Sequence, residues 1–142
     1  MAKATQRKSI KYEDKSEGQP TLVPLFAKLK KMLSRYAKGN FIVRAEGAGN
    51  YSIYYNKEVV IAKKKFPELA FATILIQKGF VGFYFFPIYT YPNLKDQLPE
   101  GLLKCLTGKT CFHIKKDESL LIKEIAQALE TGYTYYQSKG WK

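Results

Sequence analysis

The chain has 142 residues, enough for one core in one ordinary domain, and its 46% hydrophobic and 15% aromatic content excludes a wholly disordered chain. Twenty-four Lys and Arg against twelve Asp and Glu leave a formal charge of +12, which disfavours cationic ligands and favours polyanions such as nucleic acid. The charged start MAKATQRKSIKYEDKSEGQP is unlike a signal peptide and no apolar run has the length of a membrane span, so a cytoplasmic protein without membrane contact is expected.

Residues 1–19 are low in hydrophobicity and are expected to be a mobile basic N-terminal segment, leaving 20–142 as a single domain. From Thr21 onward, Leu22, Leu25, Phe26, Leu29, Met32, Leu33 and Tyr36 recur at three- and four-residue spacing. This predicts an amphipathic helix with Pro24 in its first turn and Gly39 as its stop. Lys28, Lys31, Arg35 and Lys38 fall on its other side, the pattern of a solvated face. FIVRAE, YSIYYN and EVVIAKKK then read as short antiparallel strands in a meander with tight Gly and Asn turns. The turn Gly47-Ala48-Gly49-Asn50 lacks the spacing and the following helix of a dinucleotide site. Lys63, Lys64 and Lys65 form a dense basic run at a strand end or loop, a candidate basic patch.

ELAFATILIQ and FVGFYFFPIY flank a Lys78-Gly79 turn and predict the central hairpin. Alternation in the second run puts Phe80, Gly82, Tyr84, Phe86 and Ile88 on one face and Val81, Phe83, Phe85 and Tyr89 on the other. A strand apolar on both faces is either covered twice or offers one face to a ligand. After Pro92 a short helix broken at Pro99 and a further turn ending at Gly108 are expected. TCFHIKK reads as a strand with Phe112 and Ile114 inward and Lys109, Cys111, His113 and Lys115 opposite. DESLLIKEIAQALETG reads as an amphipathic helix capped by Asp117 and interrupted at Gly132, before a last helical turn. The fold class is therefore α+β: an antiparallel sheet of about five or six strands with the N-terminal and C-terminal helices packed mainly on one face.

Cys105 and Cys111 are read as reduced thiols. Cys111 and His113 share a strand face, but a closed zinc site needs further ligands and nucleophilic catalysis needs a third, orienting member. The triplet Gly108-Lys109-Thr110 follows Gly101 by seven residues, where a phosphate-binding loop needs five, and a strand follows. No catalytic residue, metal site or cofactor is assigned. The candidate ligand-binding surface comprises Lys78, Tyr84, Lys109, Cys111, His113 and Lys115.

The order of residues in FATILIQKGFVGFYFFPIYTYPNL and LLKCLTGKTCFHIKK resembles the YdhG-like domain-of-unknown-function family, small bacterial proteins some of which are regarded as frataxin-like iron chaperones. The resemblance rests on Lys78, Val81, Phe83, Pro87, Tyr89, Pro92, Leu94, Gly108, Lys109, Cys111, Phe112 and Lys115 and covers about residues 20 to 140. It implies one α+β domain and an iron-binding or iron-delivery role, although relatives are expected to carry His where this chain has Tyr84. Hard cations select oxygen ligands, and the acids here are thinly spaced. The residues themselves point instead to a nonenzymatic binding domain for an anionic small molecule, an acidic partner or nucleic acid. A thiol-dependent enzyme using Cys111 is the remaining alternative.

Overall fold

A computed structural model describes residues 13–142. Helix α1 (Leu22–Ser34) leads into strands β1 (Phe41–Glu46) and β2 (Asn50–Tyr55), and a small hairpin, β3 (Val59–Ile61) with β4 (Lys64–Phe66), precedes β5 (Leu69–Gln77) and β6 (Phe80–Phe85). Then come α2 (Pro87–Thr90), a 3-10 turn (Pro92–Gln97), α3 (Glu100–Leu103), β7 (Leu106–Thr107), β8 (Cys111–Ile114) and the long α4 (Ser119–Ser138). The fold is α+β. Six strands form one antiparallel sheet in the order β1-β2-β5-β6-β8-β7, so the β5–β6 hairpin is central as expected, and β3–β4 stands as a separate two-stranded sheet.

The side-chain period of two divides this sheet sharply. Ile74 pairs with Phe83 and Phe83 with Phe112, while Ile76 pairs with Val81 and Val81 with Ile114; all six are fully buried. They face α1 and α4, whose Leu25, Leu29, Leu33, Ile125, Ala128 and Leu129 complete the same core. A β-bulge in β5 opposite Ile53 and Tyr54 turns both Phe71 and Ala72 inward. The irregular backbone there is satisfied: the Tyr136 hydroxyl donates to the Ala70 carbonyl at 2.7 Å, and the Phe86 amide donates to the Phe71 carbonyl at 3.0 Å.

Several sequence expectations are corrected. EVVIAKKK is two short strands, not one, because Ala62 and Lys63 take positive φ in a tight reversal between them. β6 ends at Phe85: Pro87 has no amide hydrogen for a ladder and starts a helical turn, so Ile88 and Tyr89 lie on α2 and not on strand faces. α1 stops at Ser34, before Gly39, which instead adopts φ 62° in the following loop. Asp117 is not a cap; it pairs with Lys28 at 2.7 Å, and α4 begins after Glu118 without a side-chain cap. Gly132 does not interrupt α4. The helix runs through it because its missing side chain makes room for the sheet: a Cβ there would collide with Phe85 Cζ and lie 2.8 Å from Pro87 Cγ. Of the expected N-terminal segment, residues 1–12 lie outside the described residues, while Gln19 donates to the Gln77 carbonyl at 2.9 Å and accepts from the Gly79 amide at 2.6 Å.

Replacing Gly132 by Ala should therefore destabilise the protein by about 1–3 kcal/mol through overpacking, outweighing the helix-propensity gain of about 1 kcal/mol. Urea unfolding of Gly132→Ala tests this; an unchanged or raised midpoint would refute the close helix–sheet approach.

Candidate functional site

The sheet face away from the helices is polar and aromatic, and no described helix covers it. Ile42, Tyr54, Leu75, Phe80 and Tyr84 all stay outside the hydrophobic core, in contrast to the fully buried alternates beside them. Cross-strand register builds two rows on this face. One runs Ser52, Thr73, Tyr84, Cys111 and Thr107 across β2, β5, β6, β8 and β7; the other runs Asn50, Leu75, Gly82 and His113. None of these side chains is acidic.

Gly82 shapes the middle of the face. A Cβ at this position would lie 2.9 Å from Tyr84 Cε1, so the tyrosine ring bends along its own strand and occupies the space over the glycine. Next to it, the rings of Phe80 and His113 stack at 3.9 Å with an interplanar angle of 14°. Ser52 and Thr73 hydroxyls hydrogen-bond at 3.0 Å farther along. The Tyr84 hydroxyl is close enough to the Gln77 amide and the Cys111 thiol for both to shift its acidity.

Electrostatics make Cys111 a poor nucleophile. Burial pushes its thiol above the ordinary value of 9.0, and the hydrogen bond from Tyr84 only partly opposes this. Cys105 is raised as well, first by burial and then by Glu118 and Glu124. Tyr84 is likewise raised, mainly by burial and then by Cys111, with the Gln77 hydrogen bond acting in the other direction. Both thiols are free.

Of the residues singled out from the sequence, Tyr84, Cys111 and His113 meet on this face through the β6–β8 pairing. Lys115 directly follows Ile114, whose partner is Val81, and Lys78 sits in the turn just before Phe80; both cations are exposed at the same end of the β6–β8 pair. Lys109 is exposed in the β7–β8 turn at the other end. Among the described residues none of the three is ion-paired: the ion pairs there are Lys28–Asp117, Lys30–Glu46 and Arg44–Glu68. Lys63, Lys64 and Lys65 stand apart, exposed on the β3–β4 hairpin, with Lys64 Nζ 5.7 Å from the Phe66 ring centre. The sequence reading missed Gln77, Thr73 and Ser52, although alternation along β5 from the inward Ile74 and Ile76 would have put Thr73 and Gln77 beside Tyr84.

On another surface, a shallow groove of about 600 Å³ between the 3-10 turn and α4 carries Asp96 and Glu130 beside Gln127 and Thr131. Its acids make it unsuited to an anion. Among the described residues no three His, Cys, Asp or Glu side chains come together as a metal would require, and no helix is long and apolar enough to cross a membrane. Compared with family models, with curated proteins and with solved structures, the chain finds no match.

Alkylation of Cys111 follows from its environment. In a Cys105→Ser background, iodoacetamide labelling should have its pH midpoint above 9.0, and Tyr84→Phe should move it higher by removing the one stabiliser of the thiolate. A midpoint below about 8, the range of activated thiols, would contradict the geometry.

Proposed function

We propose that the chain is a nonenzymatic binding domain that receives an anionic ligand on the open face of its sheet, over β6 and β8. One observation carries this reading: a half-exposed stretch of rings with no acid in its cross-strand rows lies between Lys115 at one end and Lys109 at the other, with Lys78, beside Asp14 and Glu17, also at the first end, and none of the three lysines ion-paired among the described residues. Exposed unpaired cations in a chain of +12 attract anions over distances comparable to the Debye length, and hydroxyls, an imidazole and a Gln amide offer directional hydrogen bonds once contact is made.

The competing readings have less support. An iron-handling role, which the YdhG-like resemblance implies, needs a cluster of oxygen donors that the described residues do not assemble. A thiol enzyme needs a thiolate near neutral pH, and burial holds Cys111 in the opposite direction. A cytoplasmic setting, where a free thiol persists, suits the same reading.

A thermal-shift panel of nucleotides, acidic metabolites, inorganic polyphosphate and oligonucleotides at low ionic strength tests the proposal, since a ligand that binds only the native state raises the melting temperature. At least one anion is expected to stabilise the protein, with the gain lost on adding salt and in a Lys109→Glu, Lys115→Glu double variant. No stabilisation by any anion would overturn it.

A further inference from the structure

The arrangement of rings and cations says more about the ligand than its sign. Resting on the anion-binding reading above, we propose that the open face is a platform for single-stranded nucleic acid, with unpaired bases stacking on Tyr84 and the Phe80–His113 pair while Lys78, Lys115 and Lys109 hold the backbone. The first support is spacing. β6 has six residues, and at about 3.3 Å per residue its two ends are roughly 17 Å apart. Lys78 and Lys115 stand at one end and Lys109 at the other, so a small anion engages one end at a time, whereas a strand of several nucleotides engages both.

The second support is the state of the rings. Tyr84 lies along its strand over Gly82, in the space that a side chain at residue 82 would take. A ring so laid on a sheet turns a π-face toward solvent. Phe80 and His113, with ring centres 3.9 Å apart, add a second aromatic element beside it, and all three residues are half-buried. Base–aromatic stacking tolerates any sequence because every base has a π-face, and it requires bases released from pairing. The half-buried Thr73 and Gln77 supply a hydroxyl and an amide for base edges or sugar hydroxyls, and no carboxylate in these rows repels the phosphates.

Fluorescence anisotropy with the full chain tests the idea, using three labelled probes of about 12 nucleotides: a mixed-sequence single strand, the same sequence as a duplex, and a base-free sugar-phosphate strand of equal charge. The single strand should bind at least tenfold tighter than the base-free strand and tighter than the duplex. Tyr84→Leu and Phe80→Leu should each lower affinity for the single strand by about 5- to 150-fold while leaving base-free binding unchanged. Circular-dichroism melts establish that each variant is folded, and either folded variant suffices. Equal binding of the single strand and the base-free strand, or of the single strand and the duplex, would overturn the stacking platform and leave the anionic reading standing. Failure of all three probes to bind also overturns it. Failure of the small anions in the thermal-shift panel as well would remove the broader reading.

Discussion

The close approach of α4 to the sheet at Gly132 governs how the rest of the molecule is arranged. Because the helix backbone can come against Phe85 and Pro87, the long C-terminal helix lies flat on one face, and Ile125, Ala128, Leu129 and Tyr136 become part of a single core with α1. Full burial of each large aliphatic or aromatic side chain contributes about 1.5–3 kcal/mol, so a helix that brings several of them onto one face strongly favours that face over the other. Both long helices are thereby committed to the same side. The opposite side is left to groups that tolerate water, and this asymmetry creates a surface with rings and hydroxyls but, among the described residues, no covering helix.

Within that surface, chemistry is set by neighbours more than by residue type. Cys111 and His113 together invite a reading as a thiol–imidazole pair, yet His113 stacks on Phe80 and the thiol receives its hydrogen bond from Tyr84. Each of the two is engaged by an aromatic residue of β6. The result is a surface of rings and polar groups without carboxylates in its cross-strand rows, with Lys78, Lys109 and Lys115 at the strand ends. Such a division suits recognition in which long-range attraction comes from flexible lysine side chains and contact from fixed rings.

How much of this was legible depends on the range of the signal. Strand alternation is local, and it correctly separated Phe112 and Ile114 from Cys111 and His113, and Val81, Phe83 and Phe85 from Phe80, Gly82 and Tyr84. The central hairpin and the two terminal helices were legible for the same reason. Gly132 was misread because glycine breaks helices on average, and only the packing partner shows why it is needed here. Asp117 was misread because a distant Lys28 competes for a carboxylate that looked like a local cap. β7 has only two residues and no periodicity to detect, and the reversal at Ala62-Lys63 uses positive φ at residues that do not announce it. The site was legible as a strand-face set, whereas the position of Lys78 beside Lys115 and opposite Lys109 followed only from the β6–β8 register.

The sheet also ends in a way that bears on how copies of the chain meet one another. Its outer strands are β1, bulged between Val43 and Ala45 with Arg44 held by Glu68 and Asn56, and β7, which offers only two residues. A neighbouring strand needs an unbroken line of amides and carbonyls to extend a ladder, and neither border supplies one. Growth of the sheet from molecule to molecule is therefore frustrated at both margins. An aromatic face can thus stay open on a sheet whose described margins do not invite a further strand.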